Sequence, residues 1–253
     1  MASDIVGGPF TVANARNQTK NELVSMFVPT EDYYELISRQ NHVVLGARGS
    51  GKTALLRMLS HDHMSLLEDS DTQQIIDARL HVGIYVPMSA LWVGGLKNKP
   101  WQSEKEGMQY FEWRLNVASC SALLASVRSC LDRYIDVDDP ERRARSERRI
   151  ARSLAEVWLR VENPPVTLRQ IDQHLCALED AKQELLVRDH VVGPTTNKDY
   201  GGAAFDAELF RPLRRGIAIA RDALDLPEEC AWLLCLDEAE LLEKEHHRTL
   251  NTH

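Results

Sequence analysis

The chain has 253 residues, of which 43% are hydrophobic and 27% charged; 30 Lys+Arg against 38 Asp+Glu give a formal charge of −8. This composition excludes a disordered tail, a collagen-like rod and a disulfide-stapled miniprotein, and leaves room for one large domain or two small ones. No global basic field exists to draw in nucleic acid, so any such contact must come from a local patch.

No apolar run approaches the ~20 residues of a membrane helix, and Met1–Gly8 lacks the basic-then-apolar order of a signal peptide. No membrane partner is expected. Cysteines stand at Cys120, Cys130, Cys176, Cys230 and Cys235, with no C-x2-C pair. That spacing argues against zinc or a disulfide framework and predicts reduced thiols in a cytoplasmic setting.

Residues 1–40 read as a polar lead-in followed by short helices, with a break at Pro29 and a second start at Thr30-Glu31-Asp32. Thr30 suits an N-cap with acids in the first turn. Residues 41–46 (NHVVLG) predict a buried strand, Gly46 to Gly51 a glycine-rich turn, and Lys52 to Ser60 a helix. Residues 81–88 (HVGIYVPM) predict the next strand, closed by Pro87, with loop to 106. Helices are expected over 107–133, 141–162, 167–188 and 203–224, punctuated by Pro164-Pro165 and by 193–202. Residues 231–236 (AWLLCL) predict a strand, and 238–250 a helix.

The strongest chemical signal is Gly46-Ala47-Arg48-Gly49-Ser50-Gly51-Lys52-Thr53, which fits G-x4-G-K-[ST] at every fixed position. A phosphate chain needs several backbone N–H groups pointing inward, and a loop rich in glycine can wrap that tightly. The following helix adds free N–H donors. Lys52 is expected to reach the β- and γ-phosphates, and the Thr53 hydroxyl to hold Mg2+. The second signal is Leu233-Leu234-Cys235-Leu236-Asp237-Glu238. Here a buried strand delivers an acid at its C-terminal edge, where α/β sheets place their ligands. Asp237 is expected to bind Mg2+ beside Thr53, and Glu238 to polarise an attacking water. Read alone, the acids also suit a helix N-terminus.

Residues 141–152 (ERRARSERRIAR) carry Arg142, Arg143, Arg145, Arg148, Arg149 and Arg152. They are able to contact DNA phosphates or a neighbour's nucleotide. With Asp136, Asp138, Asp139, Glu141 and Glu147 close by, a solvated, salt-bridged helix is the plainer expectation. His61, His63, His246 and His247 lack further ligands at metal spacing and predict polar surface. Phe27, Tyr33 and Tyr34 suit either stacking on a base or core packing.

The two motifs together resemble P-loop NTPases of the additional-strand, catalytic-glutamate group. GARGSGKTALLRMLS and WLLCLDEAELL are similar to the AAA+ branch of origin-recognition type and to the STAND ATPases. The resemblance covers about residues 41–60, 81–88 and 231–250. It implies an α/β fold: a parallel P-loop NTPase sheet flanked by helices, with ATP and Mg2+ as cofactors. The binding residues would be Gly46, Ala47, Arg48, Gly49, Ser50, Gly51, Lys52 and Thr53. The metal would be held by Thr53 and Asp237, and catalysis would use Glu238 and Lys52. The absence of N-K-x-D favours ATP over GTP, and the absence of an LSGGQ-type signature in 205–230 argues against ABC-type ATPases.

The long gap from Lys52 to Asp237 implies core at 41–91, a mainly helical insertion at 92–225, and a return to core at 226–253. In this group a further strand follows the Asp-Glu motif and lies between the two motif strands. The expectation is therefore an incomplete sheet, finished by a longer polypeptide, by a partner, or by a segment such as 185–192 (LLVRDHVV). The function implied is a nucleotide-driven switch in an oligomer or with an effector protein, in a prokaryotic defence or replication-type assembly. The alternatives are a non-hydrolysing nucleotide-binding scaffold and a DNA-binding initiator-like ATPase.

Overall fold

The computed structural model describes residues 15, 17–38, 40–47, 49–88, 104–135, 139–159, 161–192 and 202–238. In chain order these form α1 (Lys20–Met26), α2 (Glu31–Leu36), α3 (Lys52–Met58), α4 (His61–Met64), α5 (Ser70–Asp77), β1 (His81–Pro87), α6 (Glu104–Tyr134), α7 (Pro140–Trp158), α8 (Leu168–Val192), α9 (Arg211–Leu224) and β2 (Ala231–Asp237).

The strands pair in parallel, from His81 opposite Ala231 to Pro87 opposite Asp237. Parallel strands need a crossover connection, and α6 to α9 fall within it. Both faces of the pair are covered, which is why the two strands read as nearly unbroken apolar runs. One face presents Val82, Ile84 and Val86, with Trp232, Leu234 and Leu236, to the core built by α6, α7 and α9. The other presents Tyr85, Leu233 and Cys235 to Met58, Leu59, Met64 and Ile76 of the α3–α5 region.

The junction of α3 and α4 meets β1 at Gly83. A Cβ there would stand 1.7 Å from the Leu59 carbonyl oxygen, so the backbone at Leu59–Ser60 crosses β1 where no side chain fits. From the opposite face the Ser126 hydroxyl donates to Gly83 O at 2.7 Å. In the helical layer, α7 and α9 run in opposite directions. Arg149 donates to Ala223 O near one end, and Trp158 Nε1 donates to Pro212 O near the other. Gly216 allows this approach, since a Cβ would fall 2.4 Å from the Trp158 ring. Asn116, fully buried on α6, donates to Phe205 O and Ala207 O and accepts from Phe210 N–H, which fixes the 202–210 turn.

Several expectations hold with shifted ends. Thr30 caps α2, and α1 carries a full capping box between Thr19 and Glu22. The predicted helix at 203–224 begins only at Arg211, because 202–210 is the Asn116-bound turn. Other expectations fail. Residues 185–192 continue α8, so they supply no strand. Residues 41–46 form no strand: 41–47 carry no regular structure, and Val43 and Leu45 are 81% and 86% exposed. A strand needs a hydrogen-bonded neighbour, and among the described residues this segment has none. The parallel sheet is thus incomplete here, with β1 and β2 as its described strands. Of the helix expected over 238–250, Glu238 is described and is not helical; residues 239–250, with His246 and His247, lie outside the described residues.

Candidate functional site

The glycine motif forms a turn leading directly into α3. Ser50 N–H donates to Ala47 O at 3.2 Å. Gly49 and Gly51 adopt φ of +83° and +87°, in the left-handed region that glycine enters without cost. A Cβ at either would meet nothing within 4 Å. At Gly46, by contrast, a Cβ would lie 2.5 Å from Ser50 Oγ. The Lys52 ammonium folds back over the loop and donates to Gly46 O at 2.6 Å and Ala47 O at 3.2 Å. Thr53 is the second residue of α3 and is partly buried. Arg48 lies outside the described residues.

The position of α3 follows from its far end. Leu59 O lies against Gly83 and accepts from His81 Nε2 at 3.3 Å, so the helix ends at the start of β1. Seven helical residues advance about 10 Å, the length of about three strand residues. The Lys52 end of α3 therefore lies about that far from the Leu59–Gly83 contact. Packing of α3 against Leu233 and Cys235 of β2 holds it there. The helix that follows the glycine loop and the acid that ends β2 thus belong to the same face of the sheet.

Asp237 closes β2 and is 4% exposed. Its Oδ2 accepts from the Tyr85 hydroxyl at 2.8 Å, and its Oδ1 accepts from Glu238 N–H at 3.0 Å. Its carbonyl accepts from Met88 N–H at 3.1 Å. Glu238 has φ of +66°, a conformation uncommon for a residue with a side chain and found where the surroundings over-determine the backbone. Burial, reinforced by the nearby Asp237 charge, pushes the Cys235 thiol up to about 12. Cys235 is therefore an inert core group.

The remaining candidates have plain structural roles. Tyr33 is fully buried and meets Phe27 and Tyr34 edge to face at 5.2 and 5.4 Å between ring centroids, which resolves Tyr33 as core. His61 and His63 are not surface groups. His61 is buried between Ser129 Oγ at 2.9 Å and the Tyr134 hydroxyl at 3.0 Å. His63 is held by Ser60, Asp62 and Arg57. Among the described residues, no cluster of three or more His, Cys, Asp or Glu is placed to hold a metal, and no helix is long and apolar enough to cross a membrane. Tyr85 was missed in the sequence. Its only signal was an aromatic residue on the same alternation as the buried face of β1.

A family model described as ORC-CDC6-like matches residues 8–253. No curated protein and no solved structure matches the chain. The family match relates the chain to AAA+ P-loop ATPase-like proteins of α/β fold.

Proposed function

We propose that this chain, which belongs to the ORC-CDC6-like family, binds ATP with Mg2+ at Gly46–Thr53 and Asp237 and hydrolyses it slowly to drive a conformational switch. The observation that carries this reading is that α3, which opens at Lys52, packs on Leu233 and Cys235, on the face of β2 that also carries Asp237. The residues fit the ligand. The loop has open space at Gly49 and Gly51, and a carboxylate and a hydroxyl oxygen suit a hard cation.

In this reading the backbone amides of Gly46, Ala47, Arg48, Gly49, Ser50 and Gly51 cradle the phosphates. Lys52 exchanges its bonds to Gly46 O and Ala47 O for phosphate oxygens. Thr53 Oγ1 and Asp237 would hold the metal, which would supply charge neutralisation at the phosphates. Glu238 accepts the proton of the attacking water. The work of these residues is positioning and charge stabilisation, with no covalent step. A change of nucleotide would be relayed to α6 to α9, or to an oligomeric or effector partner, through the Leu59–Gly83–Ser126 crossing. A defence or replication-type assembly is the proposed setting, and a cytoplasmic one.

The test is ATP turnover and ATP affinity in wild type and Glu238→Gln. The expected outcome is retained affinity with turnover lower by about 100-fold or more. Normal turnover in Glu238→Gln would remove the base. No turnover in wild type, alone or with DNA, would favour a non-hydrolysing scaffold.

One observation favours an added DNA contact. The salt-bridged expectation for the arginine helix is met by Arg143, which pairs with Asp132 and Glu147. Asp139 is engaged as the cap of α7. Arg142, Arg145, Arg148, Arg149 and Arg152 are exposed and meet no acid among the described residues. A local cationic strip thus exists despite the charge of −8. Neutralising Arg142, Arg145 and Arg149 should weaken DNA binding and flatten its salt dependence by about one slope unit per lost contact. Unchanged binding would discard this contact.

A further inference from the structure

The hydrogen bond between Tyr85 and Asp237 joins two residues that the motifs do not connect. Their strands are neighbours, in a register that sets Tyr85 opposite Cys235 and Pro87 opposite Asp237. Both side chains therefore lie toward the same face, two residues apart along the strand direction. The Tyr85 ring belongs to the cluster that packs α3 on the sheet, together with Leu55, Leu56 and Met58. Its hydroxyl continues past that cluster to Asp237 Oδ2 at 2.8 Å. One side chain thus contacts both the layer that carries the phosphate loop and the acid at the strand end.

The Asp237 carboxylate is almost fully buried and would otherwise turn about its Cα–Cβ and Cβ–Cγ bonds. Glu238 N–H fixes Oδ1, and the Tyr85 hydroxyl fixes Oδ2. With both oxygens held, the carboxylate keeps one orientation in the absence of metal. Mg2+ demands near-ideal octahedral geometry and tolerates a misplaced ligand poorly. Outer groups that orient a metal-binding carboxylate commonly change metal affinity by 10- to 100-fold when removed.

We infer that Tyr85 is a positioning residue for Asp237, which presets the carboxylate for Mg2+ and so lowers the free Mg2+ needed for tight nucleotide binding. This rests on the reading of Gly46–Thr53 and Asp237 as the Mg2+·ATP site. The ring and the hydroxyl have separate tasks: the ring holds α3, and the hydroxyl holds Asp237.

The test uses the 253-residue chain and a fluorescent ATP analogue, titrated first in EDTA and then at rising free Mg2+. Tyr85→Phe removes only the hydroxyl. Its affinity in EDTA should stay within about twofold of wild type, while its Mg2+ midpoint should rise by about tenfold or more. Tyr85→Ala removes the ring as well and should weaken binding in EDTA too, which separates packing from positioning. A Tyr85→Phe midpoint equal to wild type, with wild type Mg2+-dependent, overturns the role of Tyr85 alone. A wild type that binds the analogue equally with and without Mg2+ overturns the metal site and this inference together. Urea unfolding of Tyr85→Phe at the wild-type midpoint accompanies the expected result. A large fall in stability with no change in Mg2+ midpoint would reduce Tyr85 to a core residue.

Discussion

The two faces of the β1–β2 pair are built from different chemistry. Toward α6 to α9 the strands offer Val82, Ile84, Val86, Trp232, Leu234 and Leu236 to a large apolar core. Toward α3 to α5 they offer Tyr85, Leu233 and Cys235, and polar groups thread the smaller layer. His81 bonds to Leu59 O, Ser60 to His63, and Tyr85 to Asp237. Apolar burial is non-directional, whereas each buried hydrogen bond fixes an orientation and is costly if left unmade. The helical layer therefore supplies mainly stability. In the other layer these bonds hold Leu59 O, His63 and Asp237 in set directions.

This contrast can be broken most severely where the α3–α4 junction crosses β1. Gly83→Val places a side chain into the Leu59 backbone, and roughly 3–5 kcal/mol of stability should be lost. Urea unfolding measures it, and a wild-type midpoint would mean that the crossing is not tight. Next in size, a change within the helical layer should lower stability alone. Asn116→Ala strands Phe205 O, Ala207 O and Phe210 N–H, at about 2–4 kcal/mol. Nucleotide affinity should be unchanged; a parallel fall in affinity would show that the two layers do not separate their tasks.

The polar threads of the other layer should appear as a pH dependence. Burial chiefly, with mutual repulsion between His61 and His81, pushes His61 down to about 4. Arg133 pushes it the same way, and Asp62 opposes both. Burial does the same to His81, to about 4, against the bond to Leu59 O. Both histidines fold neutral, so the unfolded chain binds more protons between their ordinary value of 6.5 and about 4. Stability is then full above about pH 6.5, falls as the pH drops, and stops falling from this cause near pH 4. About 2 kcal/mol per histidine should be gone by pH 5. Asp62 has the opposite timing. Its carboxylate is held below the usual range by His63, Ser60 and Lys20, despite burial that opposes them, so its contribution persists through this window. Equal urea midpoints at pH 7.5 and pH 5 would contradict the buried neutral histidines. The smallest expected effect is at the edge of this layer: Thr30→Ala removes the cap of α2 and should cost about 1 kcal/mol by thermal melting.

The sequence made the motifs and the long helices legible, and for physical reasons. The glycine pattern of Gly46–Thr53 is a matter of local spacing, which the turn and the start of α3 follow, and 81–87 and 231–237 are continuous apolar runs because both faces are covered. Residues 41–46 misled because a short apolar, β-branched run says nothing about whether a neighbour exists to bond it. The histidines misled because polarity was taken for exposure, whereas Ser129 and Tyr134, distant in the chain, make burial of His61 affordable in hydrogen bonds. Tyr85 was invisible for a related reason. Its significance depends on parallel register with a strand about 150 residues away, a separation set by the crossover and not by any local pattern.

The central claim is that Gly46–Thr53 binds the phosphates of ATP, with Lys52 as the cation that contacts them. Its most direct test is calorimetric titration of ATP with Mg2+ into wild type and Lys52→Ala, side by side with urea unfolding. Lys52 lies outside the buried core, so both proteins should unfold at the same urea concentration. The account predicts an ATP affinity at least about tenfold weaker in Lys52→Ala, as expected for a lost charge-assisted contact to phosphate. Equal ATP affinity in the two proteins would contradict it.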